Sequence, residues 1–286
     1  IFFCVILVLA VIAFIIAAVL KKLPRSRKFL IRAEAGLCIV LALVITVNMI
    51  CFGPMSTMIS LATGSGTISD ESMEEAYDYV DQIGEEGMVL LKNDGSLPLE
   101  KGTKLNVFGW ASTNPIYGGV GSGAISQNYE IISPLKSLEN AGFEVNQELV
   151  DFYTEYKDAR PEIGMWNQDW TLPEPAVSDY SEELLSEAEA FSDQAVFFIS
   201  RPGGENADIP TDMTAVVDGS WAASGKSYVR GTYDDTMNEG NDWEEGQHYL
   251  ELSNREKELL ELVCSKFDNV TVIVNTNNAM ELGWLD

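Results

Sequence analysis

The stretch Ala195–Asp208, AVFFISRPGGENAD, decides the fold. Its first five residues are apolar without interruption, the pattern of a short strand buried on both faces, as in a parallel sheet. The strand breaks at Pro202, Gly203 and Gly204 and then presents a carboxylate, Glu205. Ligands of open α/β sheets sit beyond the carboxyl ends of the strands, so a working side chain belongs at this place. The chain holds 44 acidic residues and most must be solvated surface, so position alone makes Glu205 a candidate and no more.

Outward from this strand, helical and extended patterns alternate. Asp70–Glu86 carries Met73, Ala76, Tyr77, Val80 and Ile83 at helical spacing. Lys104–Gly109 (KLNVFG) is a predicted strand, followed by a long glycine-rich loop. A helix is expected to start at Ser133, with Pro134 in its first position and Gly142 at its end; Phe143–Asn146 is a short second strand. An amphipathic piece follows at about Gln147–Lys157. Arg160–Tyr180, with three prolines and two tryptophans, is expected to be an ordered loop, and Glu182–Ser192 a helix. After the strand at 195–200, residues 206–247 show little periodicity; connections so long are usually functional or disordered. Ser253 and Glu256 form a capping box that opens the clearest helix, Ser253–Phe267, and Val270–Asn275 is the fourth strand. This alternation predicts an α/β fold: a mainly parallel sheet flanked by helices, an incomplete α/β sandwich that stops soon after its fourth strand. The chain is accordingly expected to be the N-terminal fragment of a longer protein.

The first 61 residues are of another kind. Ile1–Leu20 is apolar without a charge and, at about 1.5 Å per residue, long enough for one hydrocarbon core. A second apolar run extends from about Ala35 to Cys51, weakly to Leu61, and residues 21–32 between the runs carry six lysines and arginines. The expectation is two transmembrane helices joined by a basic cytoplasmic loop, placing the sandwich outside the cell membrane as part of a multi-pass protein. A cleaved signal peptide would put its positive residues before a single apolar run. Residues 62–69 read as a linker and 70–286 as the sandwich domain.

Beyond Ser65 there remain 12 basic and 43 acidic residues, a net charge of −31, which argues against nucleic acid and against lying flat on anionic lipid. Three of four cysteines fall in the apolar runs; Cys264, on a predicted helix, is expected to be buried. His248 is the chain's one histidine, which excludes His-rich zinc sites, and no metal site or cofactor is expected. GGVGSG (Gly118–Gly123) lacks the spacing of a dinucleotide fingerprint and reads instead as backbone that something must approach closely. The acidic run Asp234, Asp235, Glu239, Asp242, Glu244 and Glu245 has no EF-hand order and reads as a solvated loop. The loop tryptophans 166, 170, 221 and 243 are of the kind that stack on sugar faces or pin a loop to its own domain.

Four separated stretches, in order, resemble the α/β sandwich domain of glycoside hydrolase family 3, the family of β-glucosidases. They are EEGMVLLKNDGSLPL (Glu85–Leu99), KLNVFGWASTNPIYGGVGSG, AVFFISRPGGENAD, and LELSNREKELLELV with VTVIVNTNNAMELGWLD. The resemblance implies a two-domain retaining exo-glycosidase acting on terminal sugars of oligosaccharides. An aspartate on a (β/α)₈ barrel would be its nucleophile and a glutamate of the sandwich its acid/base. Glu205 matches the family's Gly-Glu position, and Gly121 and Ser122 lie in the glycine loop that borders the sugar pocket in relatives. One departure is that Asn206 and Ala207 follow Glu205, where family members often have glycine and an aromatic residue. The barrel usually precedes the sandwich; here it is expected after residue 286, in a permuted order, so this chain alone is expected to be inactive. Two rivals stand beside this reading: a membrane-tethered carbohydrate-binding module and a two-span sensor.

Overall fold

The computed structural model describes residues 11–12, 15–16, 20, 23–53, 55–63, 68–119, 125, 131–225, 228–234 and 242–285. The chain divides into two compact units, Ile1–Val89 and Leu90–Asp286.

The first unit is helical: α1 (Arg25–Phe52), α2 (Ser56–Thr63) and α3 (Asp70–Gly87). Among the described residues α1 is the one helix long and apolar enough to cross a bilayer, with 28 residues and a mean hydropathy of 2.6 over its best window. Two membrane helices are expected from the sequence, but residues 1–20 fall almost wholly outside the described residues, and α1 is the single candidate among those described. The basic segment also differs from expectation. Arg25, Arg27, Lys28 and Arg32 are not a loop but the first turns of α1, because after Pro24 the chain meets no further proline before Pro54. The linker is shorter than 62–69, since Ala62 and Thr63 still belong to α2; its residues 64–67 lie outside the described residues. In α3 the Ser69 hydroxyl accepts from the N–H of Ser72 and closes the first turn.

The second unit is the α/β domain. Its strands are β1 (Lys104–Phe108), β2 (Glu144–Val145), β3 (Gln194–Arg201) and β4 (Asn269–Thr276). They form one parallel sheet in the order β2-β1-β3-β4. Asn106 pairs with Ala195 and Phe108 with Phe197, while β3 and β4 pair throughout from Gln194–Asn269 to Arg201–Thr276. Helices α4 (Pro134–Asn140), α5 (Gln147–Tyr156), α6 (Glu182–Phe191) and α8 (Asn254–Lys266) connect and cover the strands. A five-residue helix, α7 (Met213–Val217), lies in the long segment after β3.

Period-two alternation sorts β3 between two cores. Ala195, Phe197 and Ile199 pack with Phe108, Leu149, Tyr153, Leu259, Val263 and Phe267; Val196 joins Leu105 and Val107 on the opposite face. Each fully buried Phe or Ile contributes about 1.5–3 kcal/mol, so the central strand is a large part of what holds the sheet. A third cluster, with Ile163, Trp170, Met213, Val216, Trp243 and Tyr249 at its centre, binds the 160–180 loop to the segment after β3. The described part of that segment is therefore packed structure, and Trp170 and Trp243 are core residues, not sugar platforms. Cys264 is exposed, against expectation, because α8 buries the stripe through Glu256, Leu259 and Val263 and position 264 falls to its side.

Candidate functional site

The carboxyl ends of β1, β3 and β4 lie side by side, and each is followed by a feature that only certain residues can make. Gly109, next after β1, has φ +92°, and a Cβ there would stand 2.3 Å from the Phe198 carbonyl oxygen, so glycine is required. Its N–H donates to the Tyr153 hydroxyl at 2.8 Å, and the next N–H, of Trp110, donates to the Glu174 carboxylate at 3.1 Å. Near the carboxyl end of β4, Asn275 accepts from the Ile116 N–H at 2.7 Å and donates to its carbonyl at 3.2 Å, which pins the start of the glycine-rich loop. Gly121 and Ser122 themselves lie outside the described residues.

After β3 the chain makes the turn that carries Glu205. The Ala207 N–H donates to the Gly204 carbonyl at 3.1 Å, with Glu205 and Asn206 at the corners. Asn206 is at φ +58°, the left-handed region that a type II turn requires at its third position and that glycine or asparagine fills at low cost. The departure at 206 thus preserves the backbone conformation a glycine would take. Gln168 Nε2 donates to the Asn206 carbonyl at 3.4 Å, and Gly203 lies against the Asn278 side chain, where a Cβ would come within 3.0 Å of Nδ2. The turn is held on two sides, and Glu205 at its tip is exposed.

Behind the turn lies a buried polar frame that sequence reading missed. Arg201, the last residue of β3, is fully buried. Its Nη1 and Nη2 donate to the two carboxylate oxygens of Glu256 at 2.7 and 2.5 Å, its Nε to the Tyr249 carbonyl at 2.7 Å, and Nη2 also to the Glu251 carbonyl at 2.5 Å. Burial opposes the Arg201 charge, yet Glu256 beside it holds its pKa above the ordinary value. Glu256 also accepts from the Ser253 N–H at 2.9 Å, so the residue identified as the capping box also carries the ion pair. Arg160 donates to the Ser200 hydroxyl at 2.6 Å and to the Asn114 carbonyl, and its guanidinium lies 5.0 Å from the Trp110 ring; burial lowers its pKa to about 10.

Two buried acids complete the frame. Burial, and then the charge of Glu256, push the Glu174 carboxyl well above the usual range. Asp242 belongs to the acidic run read as solvated, yet it is buried, receives the Tyr233 hydroxyl and is pushed up to about 6, mainly by burial. Asp235 and Glu239 of that run lie outside the described residues. The signal for Glu174 was its place between Pro173 and Pro175; Asp242 stands beside the core residue Trp243. The cavity among Trp110, Arg160, Glu174, Ser200 and Glu256 measures about 10 Å³, room for one water and for no sugar. This frame supports the turn from behind.

One pair of rings faces solvent. Trp166 and Tyr228, 71% and 67% exposed, stack with centroids 6.2 Å apart and planes inclined by 28°. Of the four loop tryptophans, Trp166 is the one left outward, and the sequence offered no sign of its stacking on Tyr228.

Comparison with known proteins places this arrangement. The chain is 32% identical over 203 residues to β-glucosidase A of Butyrivibrio fibrisolvens, covering 70% of this chain and 22% of that protein. It is 25% identical over 208 residues to a β-glucosidase of Ruminococcus albus, covering 72% and 18%. The chain therefore spans about a fifth of the length of the curated relatives it matches. Among solved structures it is similar in fold to β-glucosidase 3B of Thermotoga neapolitana in complex with glucose, with a TM-score of 0.50 at 23% identity over 73% of this chain and 25% of that one. Residues 88–286 match the model of the glycosyl hydrolase family 3 C-terminal domain, and to that family the chain belongs.

Proposed function

We propose that this chain is the sandwich part of a membrane-anchored, outward-facing, retaining exo-β-glycosidase of β-glucosidase type that removes terminal sugars from oligosaccharides. The observation that carries the proposal is the Gly204–Ala207 turn: a family 3 domain presents Glu205, outward, from a braced turn beyond the carboxyl end of its central strand. Retaining hydrolysis needs two carboxyl groups about 5–5.5 Å apart, one attacking the anomeric carbon and one protonating the leaving oxygen. Glu205 would be the acid/base. An aspartate of a (β/α)₈ barrel, elsewhere in the full-length protein, would be the nucleophile, and this fragment alone would not turn over substrate. A facing barrel would also cover the exposed Glu205, and burial is what lets a carboxyl keep its proton near neutral pH.

Glu205→Ala in the full-length protein should lower turnover of an aryl β-glucoside with a poor leaving group by about 10²–10⁴-fold. A dinitrophenyl glucoside, whose leaving group needs little protonation, should lose far less. Equal losses on both substrates, or none on the poor one, would remove Glu205 from the acid/base role.

Anchoring would come from α1 and the apolar residues 1–20 as a two-span hairpin with residues 21–32 cytoplasmic. Cys264 offers the test, because it is exposed and the other three cysteines lie in the apolar runs. A membrane-impermeant maleimide should label it in intact cells, and Cys264→Ser should abolish that labelling; labelling only after permeabilisation would reverse the orientation.

The Trp166–Tyr228 stack favours a second reading, a tethered carbohydrate-binding module without catalysis. Glucan binding lost in Trp166→Ala, together with no hydrolysis by the full-length protein, would select it.

A further inference from the structure

His248 stands in the turn before α8, with its side chain 30% exposed. Its Nε2 lies 3.1 Å from Oε1 of Glu281 and 3.6 Å from Oε1 of Glu251, and one ligand atom of each residue falls within 4.8 Å of the others. Glu251 follows three residues later in the same turn, whereas Glu281 comes from the segment after β4, 33 residues away. The backbones that carry these groups are fixed. Arg201 donates to the carbonyls of Tyr249 and Glu251, the Glu281 N–H donates to the Leu250 carbonyl at 3.1 Å, and the His248 N–H donates to Glu251 Oε1 at 3.1 Å.

We propose that His248, Glu251 and Glu281 form a site for a divalent transition metal of the zinc class, which ties the segment after β4 to the turn before α8. Metal–ligand bonds of about 2.0–2.2 Å in a tetrahedron put neighbouring donor atoms roughly 3.3–3.6 Å apart. The separations from His248 lie close to that spacing: the 3.6 Å to Glu251 matches its upper end, and the 3.1 Å hydrogen bond to Glu281 would widen slightly as the ion replaces its proton. Three protein ligands leave the fourth position to water. The donor set selects the metal class, since calcium and magnesium take oxygen ligands while an imidazole with carboxylates suits zinc and its neighbours. A site with one histidine escaped sequence reading because no local spacing announces it. The proposal is independent of the glycosidase reading.

The uniqueness of His248 gives a specific assay, because carbethoxylation of imidazole by diethylpyrocarbonate reports this one position. The full chain, in detergent and stripped with chelator, is titrated with zinc chloride while modification is followed spectroscopically. Zinc should protect His248 at one ion per chain, confirmed by calorimetry, and calcium in large excess should not. Glu251→Gln and Glu281→Gln should each raise the protecting zinc concentration about tenfold or more, the loss expected when one of three ligands is removed. Glu244→Gln, an exposed acid of the same turn region, should leave it unchanged, with circular dichroism confirming the fold of every variant. Absence of protection by zinc, equal protection by calcium, or unchanged midpoints in both ligand variants would each overturn the site.

Discussion

Breaking the Arg201–Glu256 pair should cost more than any other single polar change in the domain. Arg201 is fully buried, Glu256 nearly so, and the guanidinium fork meets the carboxylate through two bonds of 2.5 and 2.7 Å. Such a pair need not stabilise the fold relative to an apolar one, but removing one partner strands a charge and costs about 3–5 kcal/mol. Glu256→Leu leaves the Arg201 cation with only carbonyl oxygens, and it also removes the acceptor for the Ser253 N–H. Arg201→Met leaves the Glu256 anion with the Ser253 N–H alone among these partners. The double variant strands neither charge, so its cost should fall below the sum of the two single costs by about 2–3 kcal/mol. Glu256→Gln keeps the cap and one acceptor and should cost less than Glu256→Leu. Urea unfolding of the full chain in detergent, followed by fluorescence of the buried Trp110 and Trp170, measures all four. Single costs near 1 kcal/mol, the loss of a cap alone, or strict additivity in the double variant would refute the view of the pair as one buried unit.

Stability should also respond to pH through Asp242. Its carboxyl is raised from 3.8 to about 6, so the fold prefers the protonated form. Its contribution is therefore complete below pH 3.8 and is lost as pH rises through about 6, on the order of 3 kcal/mol in all. Asp242→Asn should flatten the unfolding free energy between pH 4 and 6 relative to the parent; parallel pH profiles would contradict the burial argument. Gly109→Ala should cost about 2 kcal/mol or more, because its Cβ meets the Phe198 carbonyl and its φ is positive, and a melting temperature within a degree of the parent would show that β3 yields there.

The elements legible in the sequence were those that local chemistry specifies. An unbroken apolar run made β3, a Ser-x-x-Glu box started α8, and Ser133-Pro134 with Gly142 bounded α4. The place of Glu205 at a strand's end followed from the same pattern. Cys264 was misjudged because helical periodicity shows that a stripe is buried but not how wide it is. Asp242 was misjudged because a run of acids reads as solvent-facing until a neighbouring tryptophan carries one of them into a core.

By itself the sequence determined the parallel α/β class, the family resemblance and the turn that lifts Glu205 out of the sheet, since each is written in residues close together along the chain. Tertiary structure alone decided which charges meet. It joined Arg201 to Glu256 across 55 residues, brought Glu281 to His248 across 33, and left Trp166 outward while burying Trp170. The physical reason is range: apolar periodicity and caps act within a few residues, whereas an ion pair, a ligand cluster or a buried acid exists only where distant segments are packed together.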